Sequence, residues 1–175
     1  MVAPCGELEA QSIRLGGLPV ADGSKPIAAV DHHRRMSWHG FFVAAYRLLR
    51  VGDRPLRWVV LRYGFGNVVE LTVAGRRSGE PRRTMLGLLR VGGLWYLGHP
   101  DVACAWTHNV DASGQATIAA AWLPPMTVSF RRLPPGDERE AVIRATFRQH
   151  PFPGGLIYWL ARDHVRRIGV FYRLG

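Results

Sequence analysis

The feature that most constrains this chain is a series of short β-rich runs, separated by glycine and proline, that begins near Asn67. The runs read "VVELTVAG", "RTMLGLLRV", "LWYLGHP", "QATIAAAW", "MTVSFRRL" and "RRIGVFYRL". Gly92-Gly93, between the second and third runs, is a strong signal for a two-residue hairpin turn. Pro124-Pro125 separates the fourth run from the fifth. We therefore predict a set of mostly antiparallel strands.

Helical patterns interrupt this series and precede it. Residues 38–49 place aromatic and aliphatic side chains along one face of an amphipathic helix, with Gly52 as its stop. Residues 102–110 predict a short helix with Asp101 as N-cap. Residues 137–150 predict a helix in which Asp137 caps and Glu140 completes a capping box, and residues 154–165 predict a further short helix. Strands with late helices indicate an α+β, barrel-like fold.

Composition divides the chain into two parts. Residues 1–37 are rich in glycine, proline and small polar residues, which predicts a flexible N-terminal tail, and residues 38–175 predict a single domain. The fraction of apolar residues is 47%, typical of a globular protein. The longest apolar runs have about six residues, against the roughly 20 that span a bilayer. Two cysteines, Cys5 and Cys104, form neither a disulfide framework nor a zinc pattern. We expect a soluble, cytoplasmic protein.

The net charge of +10 comes almost entirely from arginine, because Lys25 is the only lysine. Such a charge attracts polyanions, including nucleic acid, anionic lipid and phosphorylated cofactors, although genomic base composition also enriches arginine. The arginines are spread along the chain without a recognition-helix or zinc motif, so we expect no nucleic-acid partner. The segment "DHHRRMSWH" (residues 31–39) contains three histidines, but no third ligand stands at a recognisable metal spacing. We therefore predict a solvated basic segment and no metal site.

The stretch "AGRRSGEPRR", residues 74–83, is the strongest candidate for chemistry. Its glycines and serine can turn backbone N–H groups inward as an anion-binding nest, and four arginines surround them. The spacing fits neither a Walker loop nor a dinucleotide-binding GxGxxG. From the residues alone, an exposed hairpin turn and an anion site remain equally open.

This loop and the segment after it resemble the deazaflavin-dependent nitroreductase family. The shared features are a strand, the loop Gly-Arg-Arg-Ser-Gly-x-Pro-Arg, a hairpin and a helix with Trp-x-x-Asn, here "WTHN". The resemblance is good from about residue 69 to 118 and excludes the first 37 residues. It implies a split β-barrel like that of FMN-binding flavin reductases, and binding of coenzyme F-420, whose tail carries phosphate and glutamates. FMN is the less favoured cofactor.

The resemblance also implies which residues hold the cofactor. The loop positions grip its phosphate and tail, a small polar position on the next strand lies beside the deazaflavin, and two helix positions pack under the ring and orient it. The loop residues are Arg76, Arg77, Ser78, Gly79 and Arg82; the strand residue is Thr84; and the helix residues are Trp106 and Asn109. Two alternatives stay open: Trp106 as a core anchor, and Asn109 as a helix cap.

The implied activity is hydride transfer from reduced coenzyme F-420 to an electron-poor apolar acceptor, such as a quinone, enone, nitro compound or unsaturated lipid. Tyr158 and His99 are the candidate proton donors. The chain departs from the family in "LGHPDVACAW" (97–106), which stands where many members have Ser-Lys-Gly-Gly along the ring and phosphate. The alternative is therefore a split barrel without redox activity that binds a lipid, FMN or haem.

Two partners follow from these interpretations. Aromatic and basic residues in the 38–49 helix, together with "GGLIYWL", predict peripheral contact with an anionic membrane, unless that helix docks on its own domain. The implied fold also predicts a homodimer, by family analogy alone.

Overall fold

The structure is a computed structural model that describes residues 38–51, 53–101 and 104–175. The predicted flexible tail, residues 1–37, and the predicted stop at Gly52 lie outside these residues. The strands are β1 (Val68–Ala74), β2 (Pro81–Gly87), β3 (Leu89–Val91), β4 (Leu94–His99), β5 (Gln115–Ala120), β6 (Leu123–Arg132) and β7 (Val170–Leu174). The helices are α1 (Trp38–Val51), α2 (Asp53–Tyr63), α3 (Ala105–Ser113), α4 (Asp137–Gln149), α5 (Gly154–Leu160) and α6 (Arg162–Ile168).

All seven strands belong to one antiparallel sheet in the order β2-β1-β5-β6-β7-β4-β3. The long strand β6 joins its two halves: its first part pairs with β5, and Phe130, Arg131 and Arg132 pair with β7. Because β6 pairs with both halves, the sheet curls into a half-barrel. The predicted α+β split β-barrel is confirmed.

The predicted hairpin is confirmed at Gly92-Gly93, where both residues have positive φ, +57° and +83°. These values match a type I′ turn, which L side chains adopt only with strain. The run before the turn forms two strands because Leu88 leaves the ladder between β2 and β3. The Leu88 N–H donates to the carbonyl of Asn67 at 2.8 Å, and Asn67 Nδ2 donates to the Leu88 carbonyl at 2.8 Å.

The expectation that Pro124-Pro125 separates two strands is wrong. Both prolines lie inside β6, and the turn falls on residues 121 and 122. The register shifts between Ile118 and Ala120 of β5, which pair with Met126 and Leu123. A bulge interrupts the regular ladder there, and prolines are tolerated because they have no N–H to donate.

The predicted helices are found at the expected places in the chain, but several of their ends differ from the prediction. α1 and α4 are confirmed, but the N-cap of α4 is Gly136, so Asp137 is its first residue. α3 begins after Cys104, which makes the predicted N-cap at Asp101 wrong. The predicted helix 154–165 is two helices that meet at Ala161. α2 was not predicted; its Arg57 Nε lies 3.0 Å from Glu70 Oε2 of β1, an ion pair that docks the helix on the sheet.

The apolar side chains form two clusters on opposite sides of the sheet. One fills the half-barrel and includes Trp106 of α3, Leu71 of β1 and Tyr172 of β7. The other lies between the sheet and the helices and includes Phe42 of α1 and Phe171 of β7. The aromatic face of α1 therefore docks on its own domain. Among the described helices, none is long and apolar enough to cross a membrane.

Candidate functional site

The β1–β2 loop is a tight turn closed by its own backbone. The Gly75 N–H donates to the Glu80 carbonyl at 2.9 Å, and the Gly79 N–H donates to the Gly75 carbonyl at 2.7 Å. Gly79 has φ +69°, a conformation that glycine adopts without strain. The backbone N–H groups of residues 77 and 78 have no intramolecular acceptor in the described part of the chain. The loop therefore offers donors to an external anion.

Arginine side chains surround this turn in two states. Arg76 and Arg77 are exposed with no acidic partner among the described residues. Arg82 is half-buried, and its Nη2 lies 3.3 Å from Ser78 Oγ and 3.2 Å from Glu80 Oε2. Arg76 and Arg77 thus offer uncommitted guanidinium groups, whereas an internal carboxylate holds that of Arg82 in place.

Helix α3 supports the loop from the barrel side. Asn109 is buried, and its Oδ1 accepts a hydrogen bond from the Arg76 backbone N–H at 3.2 Å, across 33 residues of sequence. Asn109 is therefore not merely a helix cap; the helix ends at Gly114, in the left-handed conformation. The structure brings together the two motifs on which the family resemblance depends.

Trp106, one turn before Asn109, lies in the barrel core. Its side chain is 7% exposed, and its ring centroid is 5.7 Å from that of Tyr172. The indole Nε1–H is buried without an acceptor in the described structure. A buried donor without a partner costs free energy. Trp106 is a core residue that retains an unused donor. Thr84 is half-buried on β2, opposite Leu71 of β1.

The two candidate proton donors lie at the end of β4 and on α5. His99 ends β4, is buried, and has Nδ1 3.4 Å from the Asp101 backbone nitrogen. Tyr158 is half-buried on α5, where its ring centroid lies 4.6 Å from that of His150 and 6.1 Å from that of Phe42.

The sequence missed a cluster centred on Asp101, which is 3% exposed. Its Oδ2 lies 2.6 Å from His39 Nδ1, and its Oδ1 lies 3.1 Å from His164 Nε2. The His164 ring stacks on Phe42 at 5.9 Å. His39 was predicted as part of a solvated segment, and partners 62 and 63 residues away leave no local signal. Among the described residues no three potential ligands converge as a metal site.

Burial perturbs two ionisable groups near these residues. Burial, and then the Asp111 carboxylate that accepts from its hydroxyl at 2.9 Å, raise the pKa of Tyr172 far above its ordinary value. Burial lowers the pKa of His150 below 6.5, although the hydrogen bond from its Nδ1 to the Thr146 carbonyl at 2.9 Å opposes this. Both groups are therefore neutral near pH 7 and act through packing and hydrogen bonds.

The strand topology defines a split β-barrel, the fold of the solved structures that this chain is similar to. One, described as a domain-swapped dimer, has 18% identity and a TM-score of 0.51 over 75% of this chain and 99% of that chain. A reductase dependent on reduced coenzyme F-420 (FDR-A) has 23% identity and a TM-score of 0.44, over 61% of this chain and 93% of that one.

A haem storage protein, HutZ from Vibrio cholerae, has 13% identity and a TM-score of 0.41, over 62% of this chain and 80% of that one. No family model matches the chain, and no curated protein matches it. The likeness to the first of these structures shows the fold alone, and a fold hosts many functions.

Proposed function

We propose that this protein is an oxidoreductase that uses reduced coenzyme F-420 to reduce an electron-poor apolar acceptor: a quinone, enone, nitro compound or unsaturated lipid. The observation that carries the proposal is the hydrogen bond from the Arg76 N–H to Asn109 Oδ1. It holds the arginine loop against the Trp-x-x-Asn helix, so the two motifs typical of deazaflavin enzymes act as one unit. Neither motif alone is specific.

The loop fits the anionic end of such a coenzyme. A phosphate and several carboxylates require backbone donors and planar guanidinium forks, and the loop offers both. Arg76 and Arg77 are free of acidic neighbours in the described structure, while Arg82 is held close to Ser78. We propose that Arg76, Arg77, Ser78, Gly79 and Arg82 hold the tail.

The helix fits the polar ring system. The buried Trp106 Nε1–H lacks an acceptor, and a bound ring with carbonyl or hydroxyl oxygens would supply one. Thr84 follows the loop on β2 and is half-buried, so its hydroxyl is available to the same ligand. We propose that Thr84, Trp106 and Asn109 orient the ring. FMN offers similar acceptors and a phosphate, which keeps it as the second cofactor.

The bound coenzyme supplies the hydride, and the chain supplies binding, orientation and a proton. When the coenzyme is bound, the loop would hold its tail, and Thr84, Trp106 and Asn109 would orient its ring. The proton donors proposed from sequence are Tyr158, which packs against Phe42, and His99, which ends β4 beside the Asp101 backbone.

The assay is anaerobic oxidation of reduced coenzyme F-420, followed by the return of its visible absorbance, with a soluble quinone, an enone and a nitroaromatic as acceptors. We expect acceptor-dependent oxidation with at least one of them. If the coenzyme binds but none of the acceptors is reduced, the protein binds a deazaflavin without being an oxidoreductase. If it does not bind, the proposal fails.

One observation favours the alternative, a split barrel that binds a lipid, FMN or haem without redox activity. His99 is the only cationisable residue in the stretch 97–106, and it is buried beside the Asp101 backbone. That stretch therefore presents no exposed cation to a cofactor phosphate. Titration of the protein with coenzyme F-420, FMN, haem and a fatty acid distinguishes the two functions, because only the first predicts micromolar preference for the deazaflavin.

We also propose peripheral contact with an anionic membrane, with the protein in the cytoplasm. The surface that supports it is an aromatic rim of exposed rings, namely Trp58, Tyr63, Phe65, Trp95 and Trp122. The Trp95 and Trp122 rings stack at 6.2 Å, and Arg62 and Arg90 lie over Tyr63 and Trp95 at 5.7 and 5.4 Å. Aromatic rings beside arginines suit the boundary between headgroups and acyl chains.

Sedimentation with vesicles of zwitterionic and anionic lipid tests this contact. We expect binding to the anionic vesicles that weakens with salt, and no binding would exclude the membrane as a partner. A homodimer completes the proposal, supported by the similar structure described as a domain-swapped dimer. Sedimentation equilibrium at micromolar protein would reveal a mass of twice 19.5 kDa, whereas a single-chain mass would reject it.

A further inference from the structure

The carboxylate of Asp101 is shared between two imidazoles from opposite ends of the chain. Oδ2 lies 2.6 Å from His39 Nδ1 on α1, and Oδ1 lies 3.1 Å from His164 Nε2 on α6. The Asp101 side chain is 4% exposed, so these contacts form away from bulk water. A charge buried in this way requires hydrogen-bonded partners, and each imidazole supplies one.

The geometry assigns the protons. A carboxylate oxygen only accepts, so the facing ring nitrogens, Nδ1 of His39 and Nε2 of His164, both carry hydrogen. His39 is thereby fixed as the tautomer with hydrogen on Nδ1, which leaves its Nε2 to exchange a proton. This is the arrangement by which a carboxylate orients a histidine in general acid–base catalysis.

The two histidines differ in access to solvent. The His164 side chain is 13% exposed and stacks on Phe42, whereas the His39 side chain is 54% exposed. A proton donor must contact both its substrate and a source of new protons. His39 therefore suits proton transfer, and His164 suits a supporting role that holds the second oxygen of Asp101.

The cluster adjoins both donors proposed from sequence. His99 contacts the Asp101 backbone, and Tyr158 packs on Phe42, which in turn stacks on His164. Asp101 also belongs to the stretch that leads from β4 into the α3 helix, which carries Trp106 and Asn109. Asp101 thus follows His99 on the segment between β4 and α3, and His39 of α1 contacts its carboxylate there.

We propose that His39, oriented by Asp101, donates the proton in the reductase reaction; this rests on the proposed function. The acceptor gains a hydride, with two electrons, from the reduced deazaflavin, and one proton from Nε2–H of the His39 imidazolium; the ring-nitrogen proton that the deazaflavin loses on oxidation goes to solvent. The imidazolium becomes a neutral imidazole that keeps its Nδ1–H on Asp101. Solvent then returns the proton to Nε2. His39 is a catalytic residue in this scheme, and Asp101 is a positioning residue.

His39→Asn separates the two roles of the imidazole. The asparagine amide occupies the place of Nδ1 and can still donate to Asp101, but it has no group equivalent to Nε2. We expect the Kd for coenzyme F-420 to stay within twofold of wild type and kcat to fall at least 10²-fold, the usual contribution of a general acid. His108→Gln, on the half-exposed face of α3, is the matched control and keeps wild-type kcat.

Chemical rescue and a spectrum of the cofactor-free protein complete the test. Imidazole in the buffer should raise the kcat of His39→Ala at least tenfold. A purely structural role of His39 would not allow this rescue. In ¹⁵N-histidine spectra, His39 should carry hydrogen on Nδ1, and Asp101→Asn should abolish this preference. A neutral His39 with its hydrogen on Nε2 and none on Nδ1, or His39→Asn with wild-type kcat, overturns the inference. A wild-type protein that does not oxidise the reduced coenzyme overturns the proposed function instead.

Discussion

Replacement of Asn109 by alanine removes the bond between the loop and α3. The bond is a neutral one of 3.2 Å, and Arg76 is exposed, so water can reach the freed N–H. The expected loss in unfolding free energy is therefore about 1 kcal/mol, within the usual range for one hydrogen bond. If the bond also holds the loop in its binding conformation, the same 1 kcal/mol raises the coenzyme Kd about fivefold.

Urea denaturation and fluorescence titration with coenzyme F-420 measure the two quantities on the same protein. Asn67→Ala is the matched control, because it removes a side-chain hydrogen bond of 2.8 Å to Leu88 in the same fold but outside the loop. We expect both variants to lose similar stability and only Asn109→Ala to lose affinity. Equal Kd values for Asn109→Ala and wild type would show that Asn109 supports the fold alone.

Three further predictions concern charge and burial. Glu80→Gln removes the carboxylate that occupies Arg82, and we expect the coenzyme Kd to fall severalfold in a titration, since an exposed ion pair stabilises by only about 0–1 kcal/mol; a higher Kd would refute this. Tyr172→Phe removes the hydroxyl that donates a hydrogen bond to Asp111. Denaturation should show a loss of about 1–2 kcal/mol in unfolding free energy, and the coenzyme Kd should not change. Because burial lowers the pKa of His150, the folded protein binds fewer protons than the unfolded chain as pH falls below about 6.5. Unfolding free energy should therefore decrease from pH 7.5 to pH 5, and His150→Gln should show less of this decrease.

The strands could be predicted because their signals are local. Gly92-Gly93 specifies a turn with positive φ at both positions, and the partly alternating, β-rich run before the loop forms β1. The loop itself was recognisable from its glycines and arginines. Its attachment to Asn109 was not, because a hydrogen bond across 33 residues depends on how the barrel folds.

What the sequence missed depends on distant partners. α2 mixes arginine with apolar residues, and its docking on β1 depends on an ion pair between Arg57 and Glu70. In the sequence, Pro124 and Pro125 indicate a strand break. They fit inside β6 because of the bulge opposite them in β5, which only the structure shows. Asp101 precedes a helix closely enough to suggest an N-cap, but its carboxylate is engaged by His39 and His164. Local propensity is overridden in each case by a tertiary contact.

The most direct test of the central claim is a fluorescence titration of coenzyme F-420 with wild type and with the double variant Arg76→Ala/Arg82→Ala. The control is the double variant Arg144→Ala/Arg148→Ala, which removes the same charge from exposed positions of α4. We predict a micromolar Kd for wild type and the control, and a loss of at least tenfold in affinity for the loop variant. Equal Kd values in all three proteins, or saturable binding of FMN or haem with none of the deazaflavin, would contradict the account.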